Sequence, residues 1–443
     1  MEPMSDTTTE RGDVLPVIQR TPETEMVEKG ANVGAASDLE LADINPLNAH
    51  LFRENRFQDH FARLRAEDPV HFNELETSGR YWSVTKYDDV RAVDGDHKTF
   101  SSASGITLGL DPNRMREEND PGIMSFIAMD PPTHTDQRKT VRAVSAPSSL
   151  RNLEPTIRER TINVLDSLPD GETFDWVDTV SIELTTLLLA SLFDFPLEDR
   201  RKLTLWSDIT FAVPQPGGII ETVEERRDHF MEMVAYFDRL WAERRGGDGF
   251  DLVTMLANGE STKEIPTFKH LGNLLLLIVG GNDTTRNTMS GSVFGLNQFP
   301  DQYDKLKANP ELVANMVPEI IRWQTPLSYM RRTATRDTEL GDKQILEGDQ
   351  VLMWYVSANA DEDVFEDAER LNIERHNADR HLSFGYGIHF CMGSRLAELQ
   401  LRVLWEEILN RFEHVEVVGK EERTLSSFVH GYTHLPVQVH RKK

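Results

Sequence analysis

The chain has 443 residues, of which 39% are hydrophobic, 48 basic and 74 acidic, giving a net charge of −26. A chain this long can bury a sizeable core, which excludes a small stapled scaffold and a disordered polymer; its charge repels phosphate backbones and anionic lipid surfaces, so neither is expected as a main partner. The single cysteine, Cys391, excludes an intramolecular disulfide framework and any metal site built from cysteines alone.

In chain order, residues 1–44 are rich in Thr, Glu, Asp and Gly, with no basic-then-apolar start between Met1 and Glu10, so they are expected to form a mobile acidic tail without a secretory signal. A cytoplasmic protein is expected. From Pro46 the spacing of Leu51, Phe52, Phe57, Phe61 and Leu64 predicts helix, and the stretches 70–73 and 81–85 predict a hairpin. Residues 135–300 read as consecutive amphipathic helices. Further on, Gln350–Val356 reads as a buried strand, and 415–418 is expected to pair with 435–439. No repeat or Gly/Ser linker divides the chain. The fold class expected is mainly α with a minor β region, in one large domain over residues 45–443.

Four motif groups carry chemistry. If a helix starts after Pro132, His134 and Arg138 project from one face, where two donors suit a pair of carboxylates; an exposed His/Arg couple is the alternative. The apolar run from Leu274 reaches Gly280-Gly281-Asn-Asp283-Thr284, where glycines and a back-bonding hydroxyl predict a local bulge; the alternative is a helix ending there. The run is far shorter than the ~20 residues needed to span a bilayer, so no membrane anchor is expected. Glu319 and Arg322 lie three apart on a predicted helix and can pair, as many surface ion pairs do.

The fourth group, Phe384-Gly-Tyr-Gly387-Ile-His389-Phe-Cys391-Met-Gly393, places the cysteine in a glycine-rich loop directly before a helix-period run. A helix N-terminus stabilises a thiolate, so a depressed Cys391 pKa is expected, and the small residues allow a flat group to approach the backbone. A small buried hydrophobe, or a hydrolase nucleophile with His389 as base, are the alternative readings.

The Cys391 segment resembles the haem-binding signature of the cytochrome P450 family, and the other three groups follow in that family's order over residues 45–440. The resemblance implies a P450-like fold enclosing haem b. Cys391 would be the axial iron ligand, with Phe384 packed near the thiolate, and His134, Arg138, Arg332 and His389 at the propionates, Arg331 competing with Arg332. It further implies that Gly281, Asp283 and Thr284 lie over the distal haem face, Thr284 supporting dioxygen and Asp283 relaying protons. Glu319 and Arg322 would form a buried structural pair.

The family's pocket positions correspond to Ile106, Leu108, Met124, Phe126, Phe211, Val213, Leu277, Ile278, Leu327, Met330 and Phe428, with His430 and Tyr432 as polar contacts. That lining favours an uncharged hydrocarbon-like ligand. The stretches 280–291 and 324–334 resemble the bacterial branch that hydroxylates the terminal carbon of medium-chain alkanes and fatty acids. A terpenoid or macrolide substrate, and a non-catalytic haem sensor, are the alternatives. With some 50 residues after Cys391, no flavin domain and no cysteines for a cluster are expected. Electrons from NAD(P)H would then arrive through a ferredoxin reductase and a ferredoxin docking on Arg375, Arg380, Arg395, Arg402 and Arg411, the enzyme acting as a monomer; internal pairing of about half of these arginines with Glu398, Glu406 or Glu407 is the alternative.

Overall fold

Apolar residues spaced three and four apart become helix along most of the chain, as a computed structural model describing residues 21–29, 34–109, 125–214, 216–265 and 267–443 records. The first helices are α1 (Pro22–Glu28), α2 (Ala49–Arg53) and α3 (Gln58–Glu67). Strands β1 (Val70–Leu75) and β2 (Gly79–Val84) follow as an antiparallel hairpin, and α4 (Tyr87–Gly95) leads to β3 (Phe100–Ser101). The long helical middle consists of α5 (Thr133–Val141), α6 (Pro147–Asp166), a short strand β4 (Phe174–Asp175), α7 (Glu183–Phe193), α8 (Arg201–Phe211), α9 (Val223–Arg244), α10 (Leu252–Asn258) and α11 (Thr267–Gln298). Local chemistry sets their ends. Pro147 fills the first position of α6, Thr222 caps α9 by accepting from the Glu225 amide, and Asp251 caps α10 by accepting from the Thr254 amide.

Beyond α12 (Pro300–Ala308) and α13 (Val313–Gln324), strand β5 (Tyr329–Ala334) enters the main sheet. The hairpin β6 (Thr338–Leu340) and β7 (Lys343–Ile345) stands apart, and β8 (Gln350–Trp354) completes the order β1-β2-β8-β5-β3. Tyr81 registers with Gln350 in the parallel β2/β8 pair and Tyr329 with Trp354 in the antiparallel β5/β8 pair. After α14 (Tyr355–Ala358) and α15 (Ser394–Arg411), β9 (Phe412–Val417) pairs with the last strand (Pro436–Arg441) in the register expected for 415–418 and 435–439.

One apolar cluster joins Leu271, Leu274, Leu275 and Ile278 of α11 to α7–α10, and a second joins Met289, Val293, Phe294 and Leu296 to α13, α15 and β9. Between those halves α11 turns polar, from Asn282 to Thr288, although it is buried there. The helix is nonetheless continuous through Gly280 and Gly281 and runs on to Gln298, so neither the bulge nor the helix end expected at the glycines forms. Packing on both flanks outweighs their weak helix propensity.

The stretch expected as a mobile tail is corrected where it is described: residues 21–29 and 34–44 dock on the body. Glu25 is buried, its carboxylate accepting from the Thr77 amide at 2.9 Å, the Thr77 hydroxyl at 2.7 Å and the Glu76 amide at 3.2 Å. Those donors hold its pKa down at about 2 against the opposing effect of burial. Met26 and Ile44 are buried, and Arg63 donates to the carbonyls of Ala36 and Leu39. Residues 1–20 and 30–33 lie outside the described residues.

Candidate active site

Cys391 sits three residues before α15, in a loop that folds back so that its amide donates to the Phe384 carbonyl at 2.8 Å. Gly385 and Gly387 take φ of +69° and +70°, and a Cβ on Gly387 would stand 2.8 Å from the Asp94 carbonyl oxygen. Both features require glycine at 387. Asp94 of α4 pins the loop from outside: it accepts from the Tyr386 amide and the Tyr355 hydroxyl, each at 2.8 Å, and from Arg332 at 2.6 Å. Phe384 packs against the main core and lies 6.1 Å from the ring of Phe390.

The amides of Gly393 and Ser394 and the Arg138 guanidinium favour a Cys391 thiolate, yet burial outweighs them and pushes the thiol pKa up. The depression expected from the helix N-terminus alone is therefore corrected. A thiol held this way is deprotonated by coordination to a metal, whose charge replaces the missing solvation.

Beside the cysteine loop, cationic groups converge. His134 and Arg138 are on one face of α5, and the His134 ring lies 4.3 Å from that of His389. Among the described residues, both ring nitrogens of His134 and Nδ1 of His389 are buried without a hydrogen-bond partner, whereas His389 Nε2 contacts the Ser102 hydroxyl at 3.0 Å. Burial and then the neighbouring arginines push both imidazole pKa values down, Arg138 foremost for His134 and Arg332 for His389, which falls to about 2. Arg332 donates to Asp94 and to the Arg331 carbonyl, while Arg138 reaches the Phe390 carbonyl. Orphaned donors of this kind suit two carboxylates on the edge of a planar ligand. Arg331 is directed elsewhere, to the carbonyls of Ser104 and Gly105 and to Gln350.

In the polar stretch of α11, the Thr284 hydroxyl donates back to the Gly280 carbonyl at 2.8 Å. A Cβ on Gly280 would meet no atom within 4 Å, while one on Gly281 would stand 2.7 Å from Leu189 Cδ2. Asp283 is buried, accepts from the Ser207 hydroxyl at 2.9 Å and pairs with Arg286 at 3.1 Å. Burial raises its pKa to about 6. Neither Ser207 nor Arg286 was singled out in the sequence; the three-residue spacing from Asp283 to Arg286 was its visible signal.

The candidate pocket residues fall into two groups. Leu108, Leu327, Met330 and Phe428 share one apolar cluster, in which a bridge pairs Leu327 with Val429, and Ile106 accepts from the Arg331 amide. Phe126, Leu277 and Ile278 share the cluster formed by α7–α11. Val213 is half-buried; Met124 and the Phe211 side chain lie outside what is described. His430 and Tyr432 are corrected as pocket contacts. His430 donates to the Gln324 carbonyl at 2.7 Å and accepts from Arg423, and the Tyr432 hydroxyl donates to Gln324 Oε1 at 3.1 Å, so both serve the core.

Glu319 and Arg322 are buried together, joined at 2.7 and 2.8 Å, with Arg375 closing on the same carboxylate at 3.0 Å. That removes Arg375 from the expected docking patch. Arg402 is paired with Glu154 and Glu406, and Arg411 with Asp166 and Glu407, because carboxylates on α6 and α15 face them. Of the five arginines, Arg380 and Arg395 remain exposed.

Residues 217–436 match the family model described as cytochrome P450. The chain is 36% identical over 400 residues to linalool 8-monooxygenase of Pseudomonas putida, covering 88% of this chain and 97% of that one. It is 32% identical over 395 residues to the methyl-branched lipid omega-hydroxylase of Mycobacterium tuberculosis, covering 85% and 90%. The solved structure of CYP153D17 from Sphingomonas sp. PAMC 26605 superposes with a TM-score of 0.82 at 48% identity, covering 90% of this chain and 99% of that one.

Proposed function

The chain belongs to the cytochrome P450 family, whose members bind haem through a cysteine thiolate, and from that premise we propose that it hydroxylates the terminal carbon of a medium-chain aliphatic substrate. The observation that supports the reading is that the candidate pocket residues Leu108, Leu327, Met330 and Phe428 belong to one apolar cluster, and Phe126, Leu277 and Ile278 to another. None of these residues offers a charged anchor, so a substrate here is recognised by shape and burial. Likeness to a CYP153 structure and to a lipid omega-hydroxylase supports attack at a chain end. The 36% identity to linalool 8-monooxygenase favours a terpenoid as the second reading.

When bound, the haem supplies the activation of dioxygen, one atom entering a C–H bond and the other leaving as water. Cys391 would hold the haem iron through its thiolate, with the Gly393 and Ser394 amides donating to the sulfur. His134, Arg138, Arg332 and His389 would hold the propionates, each neutral imidazole offering one N–H from an unpartnered nitrogen beside the guanidinium donors. Gly280, one turn before Thr284, leaves that face of α11 free of bulk, while Gly281 lets Leu189 of α7 pack close to the helix. Thr284 holds a proton at its hydroxyl, and Asp283, with its raised pKa, carries protons inward to it. Glu319, Arg322 and Arg375 keep the proximal segments in register. A ferredoxin and its reductase supply the electrons.

Incubating the haem-loaded enzyme with octane or a medium-chain fatty acid, a ferredoxin, its reductase and NAD(P)H tests the reading. The terminal alcohol is expected as the main product. Oxidation only within the chain, or only of a terpenoid, overturns it.

A further inference from the structure

Residues 104–109 carry Ile106 and Leu108, two of the candidate pocket residues, and adopt neither strand nor helix. Two buried side chains of the main sheet hold them instead. Arg331 of β5 registers with Leu352 of β8, so Gln350, two residues before Leu352, stands diagonally across on the same face. The Arg331 guanidinium donates to the carbonyls of Ser104 and Gly105 and to Gln350 Oε1, and the Arg331 backbone amide donates to the Ile106 carbonyl at 2.7 Å. Gln350 Oε1 also accepts from the Gly109 amide at 3.0 Å, while Gln350 Nε2 donates to the carbonyls of Gly109 at 3.4 Å and of Ser78, in the turn between β1 and β2, at 3.1 Å. Both ends of the segment are thus tied to one Arg–Gln pair. The backbone is fitted to that pair: Gly105 takes a φ of +106°, a Cβ on it would stand 2.8 Å from Arg331 Nη2, and one on Gly109 would stand 3.0 Å from Nη1. Burial lowers the Arg331 pKa to about 10, which leaves it charged at neutral pH. The acceptors named are neutral oxygens standing in for water, so the cation's solvation depends on where the segment places them.

We propose that Arg331 and Gln350 clamp residues 104–109 and thereby fix how far Ile106 and Leu108 reach into the pocket, which sets the carbon of a chain that is presented for oxidation. A planar guanidinium holds several oxygens at once at fixed angles, whereas an ammonium keeps the charge and loses that geometry. Leu108 shares its apolar cluster with Leu327, Met330 and Phe428, so a shift of its backbone changes the space left between close-packed side chains for a hydrocarbon. Arg331 and Gln350 are positioning residues, acting through the segment they hold. The effect on the site of oxidation rests on the function proposed above; the clamp itself does not.

Amide hydrogen exchange of the haem-loaded, substrate-free protein tests the clamp without any turnover. In Arg331→Lys and in Gln350→Met, the peptide over 104–109 is expected to exchange about tenfold faster, since each variant loses a hydrogen bond to a charged group, while α13 exchanges as in wild type. With an aliphatic chain as substrate, the share of in-chain alcohols among the products is expected to rise about threefold in both variants. A purely structural role would lower the yield of folded enzyme and leave that share as in wild type. Unchanged exchange at 104–109 in both variants overturns the clamp, and faster exchange with the wild-type product pattern overturns its role in positioning the substrate. Exchange as expected in an enzyme that oxidises no aliphatic chain supports the clamp and overturns the substrate assignment.

Discussion

Glu319 is buried between Arg322 and Arg375, which among the described residues have no other carboxylate within ion-pairing distance. Removing one partner of a buried pair leaves the other charge desolvated, a loss of about 3–5 kcal/mol. Glu319→Gln is therefore expected to shift the denaturant midpoint by that amount; a change below about 1 kcal/mol, the scale of an exposed pair, would contradict the buried role. At Thr284 the stake is chemical rather than structural. Thr284→Ala removes the hydroxyl bonded to the Gly280 carbonyl and should cut product per NAD(P)H consumed by about tenfold while the rate of NAD(P)H oxidation holds, within the range attributed to general acid–base groups. Equal coupling in variant and wild type would remove Thr284 from the account. These residues were legible because their spacing lies within one short segment. Arg375 and Asp94 were not: they meet their partners from 56 and 238 residues away, and only packing brings them in.

At the scale of elements, hydrophobic period marked most helices and the β1–β2 hairpin. It missed α1, because that helix is anchored by one carboxylate on turn amides rather than by an apolar stripe. The Glu25 pKa is depressed in the docked state, so the stabilisation is full above its ordinary value of 4.5 and declines as pH falls towards about 2. Glu25→Gln should release α1 at neutral pH at a cost of about 1.5–3 kcal/mol, the scale of hydrogen bonds to a charged group. Limited proteolysis would read this as faster cleavage between residues 21 and 29, and unchanged cleavage would refute the anchor. The continuity of α11 carries the complementary lesson. Two glycines announced a break, and the flanking apolar halves of the helix closed over it.

Across the whole molecule, the net charge of −26 hides how the cations are used. Arg402 and Arg411 are committed to carboxylates on α6 and α15, whereas Arg395 is exposed on the first turn of α15. In the docking proposed for a ferredoxin, Arg395 is therefore the arginine of α15 left to meet it. Arg395→Glu should slow reduction by ferredoxin about fivefold at low salt, with the difference shrinking as ionic strength rises. A rate equal to wild type at low salt would place the docking elsewhere. Fold class was legible from the proportion of helical and strand patterns, and so were the pairings of Arg402 with Glu406 and Arg411 with Glu407, four apart on one helix, whereas Glu154 and Asp166 were not, because they face those arginines from α6. Among the described residues, no helix is long and apolar enough to cross a membrane.

The central claim is that Cys391 ligates a haem iron through its thiolate, and the absorption spectrum of the dithionite-reduced, carbon-monoxide-bound protein tests it most directly. The account predicts a long-wavelength Soret band in the haem-loaded wild type and its replacement by a short-wavelength band in Cys391→His, with haem still bound. A haem-loaded wild type without the long-wavelength band, or a Cys391→His variant that retains it, would contradict the assignment.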